Sequence, residues 1–185
     1  MEANILLFLQ NNVRGPILDP VMLFITRMNN GGMIWIALIL ILLIFKKTRK
    51  TGIYCIVALV IDVVLVNFLI KPLVGRIRPY DVIDGLICMV GPQKDASFPS
   101  GHTASSFAVA FAAFLRGPKK IGIPALVVAA LIGFSRLYVG VHYPTDVLAG
   151  IGFGLLCGFL AVFIMDRVFA WLDRKKQEKT EKAAG

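Results

Sequence analysis

Five apolar runs, at residues 31–45, 52–70, 101–115, 121–134 and 144–171, limit what this chain can fold into. In hydrocarbon every backbone N–H and C=O must be satisfied within the protein, so uninterrupted apolar runs without strand alternation are read as helices. About 20 apolar residues cross a bilayer, a length the second and fifth runs meet. The third and fourth are short. Their length makes sense if their outer ends stop below the membrane surface, in a pocket at headgroup depth. Hydrophobic residues make up 57% of the chain and charged ones 17%, more apolar than the roughly 45–50% of soluble domains. The expected fold is therefore all-α, a polytopic membrane bundle of five transmembrane helices in one domain over residues 31–172. A charged tail, expected to be disordered, follows at 173–185.

Residues 1–30 read differently. Two short amphipathic stretches are broken by Asn11, Asn12, Gly15 and Pro16, and they either lie in the interface as an amphipathic arm or form a broken sixth span. The start Met-Glu-Ala-Asn puts no basic residue ahead of the apolar segment, so the chain is expected to carry no secretory signal. Cys55 and Cys157 lie inside apolar runs and Cys88 in a polar loop, which builds neither a disulfide framework nor a Cys/His metal site.

The net charge of +9 sits in short clusters beside the apolar runs, which is how cytoplasmic loops look and not how a nucleic-acid surface looks. Residues 46–50, residues 116–120 and the segment from 167 onward hold thirteen of the twenty basic residues. Five spans put these three regions on one side, so that side is expected to be the cytoplasm, with the C-terminus there. The polar stretches on the opposite side then face out of a plasma membrane. Gly150, Gly154 and Gly158 recur every four residues in the fifth run. Such a stripe either packs a helix within the monomer or meets a second copy in a homodimer.

Three of those outer stretches carry chemistry. Ser135 to Asp146 reads Ser-Arg-Leu-Tyr-Val-Gly-Val-His-Tyr-Pro-Thr-Asp. Pro144 disfavours helix at Tyr143 and suits a first turn, so Asp146 enters a new helix within reach of His142. A carboxylate on one imidazole nitrogen leaves the other free to attack an electrophile. A lone His-x3-Asp would read first as a packed histidine and a helix cap. Here, however, the chain holds only two histidines, and both sit in polar stretches bearing Pro and Gly. Pro99-Ser-Gly-His102 opens the third run, so its free N–H groups and helix dipole favour an anion, and Gly101 lets backbone approach closely. Lys71, Arg78 and Arg136 add cations suited to the oxygens of a phosphoryl group in transfer.

Together these residues resemble the type 2 phosphatidic acid phosphatase superfamily, whose signature is Lys-x6-Arg-Pro, Pro-Ser-Gly-His and Ser-Arg-x5-His-x3-Asp. Every fixed position matches: Lys71, Arg78 and Pro79; Pro99, Ser100, Gly101 and His102; Ser135, Arg136, His142 and Asp146. The resemblance covers about residues 31–170. It implies a phosphohistidine on His142, oriented by Asp146, with His102 protonating the leaving oxygen. It also implies phosphate binding by Lys71, Arg78, Ser100, Gly101 and Arg136, with neither metal nor cofactor. Vanadium haloperoxidases share the pocket but are soluble and larger. A non-catalytic phosphate-lipid-binding protein would not need both histidines. Small single-domain members of this layout resemble bacterial undecaprenyl pyrophosphate phosphatases of the bacitracin-resistance type. The expected partner is a lipid phosphate amid membrane lipids, with phosphatidylglycerophosphate, phosphatidic acid and diacylglycerol pyrophosphate as alternatives.

Overall fold

The computed structural model describes residues 1–184, with side chains as far as residue 182, and among these the chain is helical with no strand. Helix α1 (Glu2–Phe8) runs into a π-helical turn at Leu9–Val13. Helix α2 (Leu18–Met28) meets α3 (Met33–Ile44) through a 3-10 turn at Asn30–Gly32. Gly31 and Gly32 take φ of 61° and 73° there, a backbone that residues with a Cβ seldom adopt. Helix α4 (Arg49–Asp62) continues as a π-helical stretch, Val63–Ile70, into the short α5 (Lys71–Val74). A long loop leads to α6 (Gly101–Arg116), α7 (Lys119–Tyr138) and α8 (Pro144–Ala184).

Three helical segments, Arg49–Asp81, Lys119–Tyr138 and Pro144–Lys182, are long and apolar enough to cross a membrane. They contain the second, fourth and fifth apolar runs. The first run becomes the 12-residue α3, which reaches that standard only when joined to α2 across a 53° bend. The third run is α6, at 16 residues too short for the same standard. So three helices, or four with the bent pair counted as one, stand where five were expected.

The reason α6 departs is its position. It packs against α4, α7 and α8 at the centre, and Ala104, Ala108, Val109, Ala110, Ala112 and Ala113 are all buried on it. A helix surrounded by others needs small residues and can end at a polar site inside the bundle. The glycine stripe of α8 fits against it in register. A Cβ on Gly150, Gly154 or Gly158 would stand 2.8, 2.5 and 2.8 Å from the carbonyl oxygens of Ser100, Ala104 and Ala108. The stripe therefore serves packing within the chain. Trp35 Nε1 donates to Ser106 Oγ at 2.8 Å, which ties α3 to α6.

The tail does not follow the expectation of disorder: α8 runs on as helix to Ala184, with the Lys- and Glu-rich turns exposed as far as Lys182. No Gly or Pro interrupts 159–184, and Glu178 precedes Lys182 at a favourable i, i+4 spacing. Gly185 lies outside the described residues. The packing of α6 on α8 generates a stability contrast. Gly154→Ala should lower the unfolding free energy in detergent by about 1–3 kcal/mol through overpacking. Gly152→Ala, where nothing lies within 4 Å, should leave the thermal midpoint unchanged or slightly raised.

Candidate active site

The site forms where α5, the long loop and the entrances to α6 and α8 meet the end of α7. Pro144 does open α8, and Ser100 caps α6 with its side chain accepting from Thr103 N at 3.5 Å. The Ser100 N–H donates to the Asp146 carbonyl at 3.0 Å, which joins the two helix entrances by a backbone bond. That N–H is therefore already used. The Ser100 oxygen also accepts from Thr103 Oγ1 at 2.9 Å, leaving its hydroxyl proton available.

Asp146 is fully buried and its two oxygens have separate partners. Oδ2 accepts from Ser97 Oγ at 2.5 Å and from the Tyr143 N–H at 2.9 Å, and lies 3.4 Å from His142 Nδ1. Oδ1 accepts from Arg76 Nη1 at 2.6 Å. His142 is itself buried, with Nε2 3.4 Å from Arg78 Nη1. Burial, aided by the Arg136 and Arg78 guanidiniums, outweighs the Asp146 carboxylate and pushes the imidazole down to about 3. This favours the neutral ring, and with Nδ1 turned to Asp146 the lone pair falls on Nε2.

The cations converge as the motifs implied. Arg78 is buried and held by the Val141 carbonyl at 2.9 Å and the Asp95 carbonyl at 3.0 Å. Arg136 is buried, donates from Nη1 to Thr26 Oγ1, and its Nε has no partner among the described residues. A Cβ on Gly101 would crowd Asn67 Oδ1 at 3.1 Å, and Lys71 Nζ would lie 3.6 Å from it. His102 Nε2 lies 3.4 Å from Asn30 Oδ1, and its carbonyl accepts from Asn29 Nδ2 at 3.1 Å.

Asp95 is the residue no motif announces. Its carboxylate pairs with Lys71 and with Arg78, the latter at 2.7 Å, so it engages two of the clustered cations. Partial burial works against its ionisation, but the hydrogen bonds and charges of Lys71 and Arg78 prevail and hold the carboxyl down at about 2. The sequence also gave no sign that Thr26, Asn29 and Asn30 would reach α6 and α7. The amphipathic stretch at 17–25 marks α2 as half-buried, yet which polar residues it aims at a partner 73 to 110 positions away is a tertiary fact. Among the described residues no group of three His, Cys, Asp or Glu side chains is placed to hold a metal ion.

A cavity of about 420 Å³ opens beside Lys71, Gly101 and His102. Leu59, Val63, Asn67 and Lys71 line it at four-residue steps, so one face of the α4–α5 segment changes from apolar to cationic toward the site. A second cavity, about 310 Å³, adjoins His102 and Arg136 and is lined by Arg27 and Asn30.

The model of the PAP2 superfamily matches residues 51–170, and the chain belongs to that superfamily. An undecaprenyl-diphosphatase of Sulfolobus acidocaldarius is 37% identical over 131 residues, 71% of this chain and 63% of that protein, just under two thirds of its length. The undecaprenyl-diphosphatase BcrC of Bacillus subtilis is 34% identical over 157 residues, 85% of this chain and 80% of that one. The crystal structure of a PAP2 type phosphatidylglycerolphosphate phosphatase from Bacillus subtilis superposes with a TM-score of 0.71 at 28% identity, covering 90% of this chain and 85% of the other. The apolar helices and this kinship make the chain a multi-pass membrane protein.

Because Asp95 competes for Lys71 and Arg78, Asp95→Asn should tighten binding of vanadate, a phosphate mimic. An ion pair half open to water accounts for up to about 1 kcal/mol, or roughly a fivefold fall in Kd by titration calorimetry. Weaker binding would mean that Asp95 organises the two cations and does not compete with the anion.

Proposed function

We propose that this PAP2-superfamily chain is a lipid phosphatase that hydrolyses undecaprenyl pyrophosphate to undecaprenyl phosphate and inorganic phosphate through a phosphohistidine. The observation that carries the lipid reading is the 420 Å³ cavity whose lining passes from Leu59 and Val63 to Lys71. Its apolar end suits an isoprenoid chain and its cationic end suits the phosphoryl group. Arg27, beside His102 and Arg136 in the adjoining cavity, adds a cation where the second phosphoryl group of a diphosphate would sit.

In this reaction His142 Nε2 attacks the terminal phosphorus in line, and the bond from that phosphorus to the bridging oxygen breaks. Lys71, Arg78, Arg136, the Ser100 hydroxyl and the Gly101 backbone stabilise the equatorial oxygens. Asp146 holds the Nδ1 proton and balances the charge that forms on the ring. His102 gives its proton to the departing undecaprenyl phosphate, then takes one from the water that cleaves the P–N bond. The stabilising charge comes from the chain itself, so turnover is expected without added divalent metal. Relatives named undecaprenyl-diphosphatase support the substrate. The Bacillus subtilis phosphatidylglycerolphosphate phosphatase supports a second reading, a glycerophospholipid monoester held in the same groove.

The bundle would cross the plasma membrane five times, with α2 and α3 making one bent crossing and α6 another. The basic clusters then lie in the cytoplasm with the C-terminus, and the site opens on the outer side. There the diphosphate carrier is left when a polymerisation step releases it.

Purified protein assayed on undecaprenyl pyrophosphate, phosphatidylglycerophosphate and phosphatidic acid should show the highest kcat/KM for the first. Arg27→Gln should reduce that value about tenfold, or 1.4 kcal/mol, with little change for a monoester. A tenfold preference for a glycerophospholipid would decide for the second reading. In intact cells Cys88, partly exposed in the outer loop, should react with an impermeant thiol reagent, whereas the buried Cys55 and Cys157 should not. Protection of Cys88 until the membrane is opened would invert the topology.

A further inference from the structure

Arg76 lies two residues before the Arg-Pro pair, outside the signature positions. Its surroundings are nonetheless among the most completely specified near the site. Nη1 donates to Asp146 Oδ1 at 2.6 Å and to Thr145 Oγ1 at 2.7 Å, and Nη2 donates to Glu2 Oε2 at 2.7 Å. The guanidinium carbon sits 3.8 Å from the centre of the Tyr143 ring. Glu2, on α1, accepts at Oε1 from the Thr145 N–H at 3.0 Å and from the Thr145 hydroxyl at 2.7 Å. A closed network thus joins α1, the Arg76 loop and the first turn of α8, and it ends on the carboxylate that faces His142.

We infer that Arg76 is the positioning residue of this dyad, and that Glu2 on the N-terminal helix holds Arg76 in place. Two contrasts support it. Arg136 is buried with Nε free of any partner among the described residues, as a phosphate ligand should be before substrate arrives. Arg76 has both terminal nitrogens committed to carboxylates and a hydroxyl, so its charge is spent before any substrate enters. The second contrast is within Asp146. A buried carboxylate can present either oxygen to a histidine, and an anchor on one oxygen decides which. Arg76 takes Oδ1, so that Oδ2 is the oxygen left to Ser97, the Tyr143 N–H and His142.

The chemical consequence is confined to His142. With Oδ1 engaged by a cation, the carboxylate stays ionised and is a weaker base, so the Nδ1 proton stays on the ring and Nε2 keeps its lone pair. The phosphate pocket itself, made by Lys71, Arg78 and Arg136, does not include Arg76. Glu2 lies before residue 51, outside the segment the superfamily model matches. It closes over the α8 entrance by accepting a first-turn N–H, a cap supplied from a distant helix.

This inference rests on the proposed phosphohistidine reaction, and the experiment separates the two. In full-length protein, Arg76→Met should lower kcat about a hundredfold, as expected when a reacting group is misplaced. Vanadate Kd should stay within about twofold, and Arg76→Lys should recover part of kcat. Glu2→Ala should lower kcat less, and should add nothing in the Arg76→Met background. Because the chain has two histidines, 15N-histidine NMR of the resting protein reports the dyad without any turnover. The downfield Nδ1–H signal of His142 should be lost in Arg76→Met and kept in Arg76→Lys. Vanadate affinity falling in parallel with kcat would make Arg76 a phosphate ligand and overturn the inference. So would an unchanged Nδ1–H signal, or full additivity with Glu2→Ala. Protein inactive on every lipid with that signal behaving as stated would overturn the reaction and leave the positioning role standing.

Discussion

A carboxylate buried inside an apolar bundle is costly unless its lone pairs have partners, and Asp146 offsets that cost with partners on both oxygens. Its side chain gathers Ser97, the Tyr143 N–H, Arg76 and His142, while its carbonyl accepts the Ser100 N–H. One residue therefore fixes the entrance of α8, the entrance of α6 and two points of the long loop. The proposed phosphate pocket is the space those constraints leave. Removing Asp146 would unsettle the relation between the two helix N-termini as well as His142, which is why its loss cannot be read as loss of a single hydrogen bond.

Beneath that point the scaffold is made of small side chains. Gly150, Gly154 and Gly158 meet the carbonyls of Ser100, Ala104 and Ala108 in step, so α6 and α8 approach closely and their entrances sit side by side. Association of helices in a membrane draws on packing more than on the hydrophobic effect, and such a seam is one way to obtain it. Close approach also explains how a 16-residue helix can occupy the centre: α6 carries His102 into the bundle, and its surroundings replace lipid.

The features legible in the sequence were those with a local signature. Apolar runs gave the helices, Pro144 gave the start of α8, and the three motifs gave eight residues that the fold brings to one place. What was not legible depends on contacts far apart in the chain. The arm at 1–30 reads only as an interfacial segment or a broken span because its polar residues have no local pattern, yet Glu2, Thr26 and Asn29 each reach partners more than 70 positions away. Asp95 and Ser97 lie between motifs in the long loop, where no spacing singles them out. The five-span count takes each apolar run by itself, whereas α3 reaches spanning length only together with α2 and α6 falls short of it.

In the proposed reaction His142 carries the phosphoryl group between attack and hydrolysis. Rapid-quench labelling with substrate bearing 32P in the terminal position, followed by alkaline digestion and peptide mapping, addresses it directly. The predicted result is an acid-labile, base-stable phosphoryl group on His142 within the first turnover, absent from His142→Ala and still formed by His102→Ala when the leaving group is a good one. Turnover with no labelled protein intermediate, or label on any other residue, would contradict the account.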